Sequence, residues 1–288
     1  MTRGGAVHAG GADPRTLRSV DLLSTYVTAW RDTADRVLAL LRDLPSNAWD
    51  RCTDCPGWRV RDIVAHLADI ESQLAGADAA AVVRAAGDRR ELTPDWTGPG
   101  VAARREATPA ELVAELAEAV DRRATAFEQH PPDDPGGRPP VVPGGLGWDW
   151  VTLLRNRVVD LWVHEQDIRR AVGSPGGVSS PGAEVAVRTL AAALPYVLGK
   201  RVAPPAGTVL GIDVTGSVPL RAVLAVGADG RARPVDGDPP EGCTWLRTDT
   251  ETFAVLAAGR RRAADVAVDV TGDHALALRF ADALAVTP

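Results

Sequence analysis

The stretch Trp148 to Val172, WDWVTLLRNRVVDLWVHEQDIRRAV, decides the fold of this chain. Its apolar residues recur at spacings of three, four and seven, which is the period of an α-helix, so one long helix is predicted. Beside them runs a stripe of Arg157, Asp160, His164 and Asp167. Because residues three or four apart lie on one face of a helix, a carboxylate and an imidazole should stand side by side.

The neighbours of Asp160 and His164 are apolar on nearly every side, a pattern that is typical of a buried helix. A buried carboxylate or imidazole must be paired, hydrogen-bonded or bound to a metal. In one interpretation, Arg157 pairs with Asp160 while Asp167 accepts from His164, which gives an ordinary charge cluster on the helix. In the other, Asp160 and His164 belong to a metal or catalytic site.

Composition limits the class of protein. The chain has 288 residues, of which 45% are hydrophobic, and this is enough for two modest domains. A net charge of −6 argues against nucleic acid as the main partner. No apolar run approaches the ~20 residues of a membrane span, and the first residues lack the apolar core of a secretory signal. We therefore expect a cytoplasmic protein, not bound to membranes, with a disordered tail over residues 1–16.

Three further helices are predicted before the central one. They span Ser19 to Leu44, Trp58 to Ala75, and a third that starts at Thr108 and ends near Gln129, and a polar connection covers Arg84 to Thr108. His66 lies inside the apolar stripe of the second helix. A lone histidine in such a stripe is more often a satisfied core residue than a ligand.

Four helices over residues 19 to 173 predict a four-helix bundle. Metal sites in such bundles are built from inward side chains on facing helices. His66 on one helix, with Asp160 and His164 on another, would make a set of two histidines and one carboxylate. That set leaves positions open for water or substrate, which suits a catalytic divalent metal.

The turn-rich loop Trp49 to Trp58 contains a C-x-x-C pair, Cys52 and Cys55. A zinc ribbon needs a second pair of ligands, and Cys243 stands alone. A redox pair prefers a strand-helix context that this loop lacks. We therefore predict that both cysteines are small buried packing residues.

A second domain of α+β type is predicted over residues 183–288. Helices are expected at Ala183 to Leu198, at Phe253 to Ala258 and after the capping residue Asp273, with His274 on the surface. Strands are expected at Thr208 to Val214, Leu220 to Val226, Thr244 to Arg247 and Val266 to Val270.

Two motifs resemble one known family. CPGWRVRDIVAHLADIE (Cys55 to Glu71) and RNRVVDLWVHEQDIRRAVG (Arg155 to Gly173) are similar to the second- and fourth-helix signatures of the mycothiol-dependent maleylpyruvate isomerases, a branch of the DinB-like metal-binding bundles. TDTETFAVLAAGRR, with VTGDHALALRFADALAVTP, resembles their small C-terminal domain. The resemblance implies a DinB-like bundle over residues 17–175 followed by the small domain.

The resemblance also implies a divalent metal, typically zinc, held by His66, Asp160 and His164. Asp62 and Asp167 fall where the family tends to carry aspartate, and they are expected to orient the histidines. The family usually has glutamate where this chain has Asp160, which is shorter by roughly 1.5 Å of reach. Either the helix shifts, a water intervenes, or the site binds metal weakly.

The implied activity is that of a mycothiol-dependent isomerase or S-transferase. A metal with an open position can hold the thiol of the cosubstrate mycothiol as a thiolate. The thiolate then adds to an electrophilic substrate, such as a cis double bond conjugated to a carbonyl. Arg260, in the tail motif, is a candidate for binding a substrate carboxylate, and a solvated basic turn is the alternative. The competing hypothesis is a non-catalytic metal- or ligand-binding protein that has lost this chemistry.

Overall fold

The computed structural model describes residues 19–76, 94–235 and 240–287. The predicted tail, residues 1–16, lies outside them. The α-helices of eight or more residues in the described ranges are α1 (Ser19–Arg42), α2 (Val60–Leu74), α3 (Pro94–Ala103), α4 (Pro109–Gln129), α5 (Trp150–Val172), α6 (Pro181–Ala191), α7 (Thr250–Ala257) and α8 (His274–Asp282). The strands are β1 (Val209–Thr215), β2 (Leu220–Val226), β3 (Ala232–Pro234), β4 (Thr244–Asp249) and β5 (Asp269–Thr271).

The predicted central helix is confirmed as α5, and both of its ends have local causes. The side chain of Asp149 accepts a hydrogen bond from the backbone N–H of Thr152 at 2.7 Å, which satisfies one free donor of the first turn. Gly173 ends the helix in the left-handed conformation, with φ of 70°. Glycine adopts this conformation without the steric cost that a Cβ would add.

The four long helices pack against one another. α1 contacts α4 and α5, and α2 contacts the same two helices. Their shared core contains Trp30, Ile63, Leu116 and Leu161, all at most 1% exposed. The first part of the chain is therefore mostly helical, as the apolar periodicity predicted.

α5 is apolar nearly all round because it contributes to two cores. Val158 and Leu161 face the other long helices, while Val159 and Trp162 join a second core with α6 and the sheet. Trp162 is fully buried there and donates from its indole nitrogen to the carbonyl of Gly177 at 3.0 Å. The helix that carries two of the candidate ligands is thus held from both sides.

The second part of the chain is a small mixed sheet with helices, as predicted. The strand order is β3-β2-β1-β4-β5, in which β1 and β4 run parallel and the other pairs are antiparallel. Leu210 and Ile212 of β1 point into the core that α7 and α8 also line. On the opposite side of β1, the ring of Trp245 lies against Gly211, where a Cβ would come within 2.4 Å of it.

Several sequence predictions of local structure are wrong. Arg84 to Thr108 was predicted to be a polar connection, but the structure has α3 within it; residues 84–93 lie outside the described part. β3 was not predicted at all. The strand predicted at Val266 to Val270 begins only at Asp269. Among the described helices, none is long and apolar enough to span a membrane.

Candidate metal centre

The structure brings His66, Asp160 and His164 together. His66 projects from α2, and the other two project from α5. Both histidines are 5% exposed, and their ligand atoms and an Asp160 oxygen all lie within 4.8 Å of one another. The Asp160 side chain is 29% exposed, so the cluster opens to solvent on the carboxylate side.

The spacing of these atoms fits a metal better than it fits hydrogen bonds. The Nε2 atom of His66 lies 3.4 Å from Oδ1 of Asp160, and Nε2 of His164 lies 3.7 Å from the same oxygen. Good N–H···O hydrogen bonds are about 2.7–3.2 Å long. Two ligands that are each about 2.0–2.1 Å from a tetrahedral zinc ion are about 3.4 Å apart. Asp160 therefore reaches both histidines despite being shorter than glutamate.

His164 is oriented by Asp167. Its Nδ1 lies 3.2 Å from Oδ2 of Asp167, which is fully buried. Asp167 also accepts from Arg170 at 2.6 Å and from Nε of Arg260 at 3.0 Å. Burial raises the pKa of Asp167, but the His164 hydrogen bond and the two arginines outweigh it, so the pKa lies below its usual value. An ionised Asp167 accepts from Nδ1–H and leaves the Nε2 lone pair free for a metal.

His66 does not have the predicted partner. Asp62 was expected to orient this histidine, but its carboxylate accepts from the backbone N–H of Arg59 at 2.9 Å and caps α2. Nδ1 of His66 is buried with no hydrogen-bond partner among the described residues. Burial lowers the pKa of His66 in spite of the nearby Asp160. His66 is therefore a neutral imidazole, the form that binds metals.

Asp160 is ionised and held by an arginine. Nη1 of Arg157 donates to Oδ2 of Asp160 at 2.9 Å. Burial raises the pKa of this carboxyl, but the charge of Arg157 and the interactions with the two neighbouring imidazoles outweigh it and hold the pKa well below its usual value. The pairings of Arg157 with Asp160 and of Asp167 with His164 are the ones that the charge-cluster interpretation predicted. They coexist with the convergence of Asp160 and His164 on His66, so that interpretation does not exclude a metal.

The loop before α2 covers the histidines. The indole of Trp58 stacks on His164 with a centroid distance of 5.7 Å and lies 5.0 Å from the His66 ring. The Cys55 sulfur lies within 4.8 Å of ligand atoms of His164 and Asp167. Burial raises the pKa of Cys55 to about 11, so it is a thiol at neutral pH. The prediction of two buried packing cysteines is wrong, because Cys52 is exposed and Cys55 only partly buried.

Arg260 lies beside the candidate metal centre, where its side chain pairs with Asp167 of the same chain. Its Nε donates to both oxygens of Asp167, and its Nη1 donates to the carbonyl of Ala258 at 3.0 Å. The side chain is 8% exposed. Arg260 thus connects the turn after α7 to the partner of His164. Arg260 is therefore not part of a solvated basic turn, which was the alternative prediction for this residue.

Sequence reasoning missed a buried ion network behind Asp160. Glu71 is fully buried and accepts from Arg157, Arg123 and the indole N–H of Trp30. A signal for it existed, because Glu71 lies four residues after Leu67 in the apolar stripe of α2. Arg157 had been predicted only as a partner of Asp160, and Arg123 gave no signal, since long basic side chains also occur at the edges of apolar faces.

The chain is similar to known proteins in its fold and in one of its domains. Two crystal structures resemble the fold: a mycothiol-dependent maleylpyruvate isomerase, at 17% sequence identity, and a histidine-to-alanine mutant of a mycothiol-dependent maleylpyruvate isomerase, at 16%. In both cases the TM-score is 0.54, and the match covers 86% of this chain and 92% of the other. No curated protein matches by sequence. Residues 30–169 match the mycothiol maleylpyruvate isomerase N-terminal domain. Through this match, residues 30–169 belong to the family of mycothiol maleylpyruvate isomerase N-terminal domains.

Proposed function

We propose that this protein is a metal- and mycothiol-dependent enzyme that adds a thiolate to an electrophilic small molecule, either as an isomerase or as a thiol S-transferase. His66, Asp160 and His164 are the proposed ligands of a divalent metal, with zinc as the expected ion. The observation that carries the proposal is the convergence of two Nε2 atoms on one aspartate oxygen at 3.4 and 3.7 Å.

The donor set fits a divalent metal in its chemistry as well as its spacing. Two neutral imidazoles and one carboxylate leave open positions in a zinc coordination sphere. When bound there, the metal lowers the pKa of a thiol so that the thiolate nucleophile exists at neutral pH. The long helices α1, α2, α4 and α5 are then the proposed DinB-like four-helix bundle of residues 17–175, and the α+β domain covers residues 183–288.

Four residues of the chain prepare this site. Asp167 accepts the Nδ1 proton of His164 and fixes the ring, while Trp58 stacks on that ring and shields it from water. Asp160 faces the open side, where thiol and substrate would enter. Arg260 supports the site through Asp167, and we propose it as a residue that a carboxylate substrate would compete for.

The test is turnover by purified, zinc-loaded protein with mycothiol and two kinds of substrate. Maleylpyruvate tests isomerisation, and a bimane electrophile tests S-transfer. We expect turnover of at least one, which is lost after chelation and in His66→Ala. The matched control is His274→Ala, which removes an exposed histidine outside the site. Failure of the loaded wild-type protein with both substrates would refute the proposed activity.

A further inference from the structure

Four charged side chains form a continuous chain from the helical core to the candidate metal centre. Glu71 is 0% exposed, and Arg123 and Arg157 are each 4% exposed. One Glu71 oxygen pairs with Arg123, and the other accepts from Nε and Nη2 of Arg157 at 3.1 and 2.8 Å. The remaining Arg157 nitrogen, Nη1, donates to Asp160. The charges of the four groups sum to zero.

The guanidinium of Arg157 binds one oxygen of Asp160 and leaves the other, Oδ1, without a short hydrogen bond. Oδ2 accepts from Arg157 at 2.9 Å, a normal length for a charge-assisted hydrogen bond. Nε2 of His66 lies 3.4 Å from both oxygens of Asp160, but only Oδ1 is also near His164, whose Nε2 lies 3.7 Å away, and Oδ1 has no contact as short as the one to Arg157. Arg157, which Glu71 holds through its other two nitrogens, thus restricts the rotation of the Asp160 carboxylate.

We propose that Arg157 is a positioning residue for metal binding: anchored by Glu71, it holds Oδ2 of Asp160 so that Oδ1 faces His66 and His164. The inference rests on the proposed function, because it assumes that these three residues bind a metal.

Charge repulsion alone predicts that removing Arg157 would strengthen metal binding, which is the opposite of what a positioning role predicts. Arg157 is a cation close to a proposed cation site, so Coulomb repulsion should weaken metal binding. Removing it should then increase affinity. If Arg157 acts by positioning, removing it should lower affinity instead, because Asp160 is free to rotate away from the histidines. The two explanations therefore differ in the sign of one measured change.

The experiment compares Arg157→Met with Arg123→Met in the full-length protein. Each variant removes one buried guanidinium and leaves the other paired with Glu71, so the change in charge is the same. Of the two arginines, only Arg157 donates to Asp160. The affinity of the metal-free protein for Zn²⁺ is measured by competition with a chromophoric chelator, and the thermal stability of each metal-free variant is recorded.

We expect Arg157→Met to raise the Kd for Zn²⁺ about 10- to 100-fold, the range typical for loss of a partner that orients a ligand. Arg123→Met should change the Kd less than about threefold, although it loses similar stability. Equal or tighter binding by Arg157→Met would overturn the inference. A wild-type protein that binds no Zn²⁺ would overturn the proposed function as well.

Arg157→Lys keeps the test usable if the methionine variant does not fold. Lysine preserves the positive charge but cannot hold Glu71 and Asp160 with one planar group. We expect weaker Zn²⁺ binding by Arg157→Lys, although the charge repulsion between residue 157 and the metal ion is unchanged. Unchanged affinity in a folded Arg157→Lys would contradict the positioning role.

Discussion

Glu71→Gln should destabilise the protein strongly, because Glu71 is the anion of a buried network. It neutralises Arg123 and, together with Asp160, Arg157. Removing one partner of a buried ion pair costs about 3–5 kcal/mol, since the other charge is left in a low dielectric. In Glu71→Gln, Arg157 still pairs with Asp160. We therefore expect a loss of unfolding free energy at the lower end of this range, about 3 kcal/mol. That is a large part of a typical folding free energy of about 5–15 kcal/mol.

The assay is urea unfolding at pH 7 on metal-free protein, with Glu115→Gln as the matched control. Glu115 also pairs with an arginine, Arg104 at 2.6 Å, but its side chain is 34% exposed. Solvent screening limits such a pair to about 0–1 kcal/mol. If Glu71→Gln costs no more free energy of unfolding than Glu115→Gln, the reasoning about the buried network is wrong.

The same substitution has a predictable pH dependence. Burial raises the pKa of Glu71, but Arg123 and Arg157 outweigh it, so the folded-state pKa lies below the usual value. A depressed pKa stabilises the fold above the unfolded pKa of about 4.3, and the stabilisation is lost as the pH falls. The difference in unfolding free energy between wild type and Glu71→Gln should therefore shrink below about pH 4. A constant difference down to pH 3 would argue against an ionised Glu71.

Three further outcomes are expected. Asp167→Asn should weaken Zn²⁺ binding about 10- to 100-fold, because His164 loses the acceptor that orients it and Arg260 loses its carboxylate; unchanged Kd in chelator competition would contradict this. Chelation should lower the melting temperature of zinc-loaded wild type by several degrees, since bound metal at 100 times its Kd stabilises by about 2.7 kcal/mol; identical melting curves would contradict it. Gly211→Ala should cost about 1–3 kcal/mol by overpacking against Trp245, and chemical denaturation that shows no loss would disprove the close contact.

The sequence predicted α5 because its apolar periodicity is long and regular. The cap at Asp149 and the end at Gly173 were found only in the structure. Asp160 and His164 stood out as polar groups in an apolar setting. His66 stood out for the same reason on α2. Side chains that conflict with their surroundings are visible in a sequence even when their partners are not.

Hydrogen-bond partners were harder to predict, because spacing along a helix does not determine which of several possible contacts forms. Asp62 is four residues from His66 and could have accepted from it. It also occupies the third position of α2, where its carboxylate can satisfy the free backbone N–H of Arg59, and that local contact is the one formed. For Asp167, whose position is well inside α5, no backbone donor competes with His164.

α3 was missed because its own sequence, PDWTGPGVAA, contains residues that disfavour helices. Tertiary contacts hold its C-terminal end in place. Arg104, which follows α3, donates to Asp69 of α2 at 2.7 Å and to Glu115 of α4. Contacts between elements that are far apart in the chain cannot be read from a local pattern, and here they outweigh propensity.

The most direct test of the central claim is the zinc content of tag-free protein, measured by elemental analysis for wild type beside His164→Ala. Our account predicts close to one zinc per wild-type chain and a loss of that metal in the variant. A wild-type protein that contains no divalent metal and does not take up added Zn²⁺ would contradict it. The convergence of His66, Asp160 and His164 would then be an internal ion cluster rather than a metal centre.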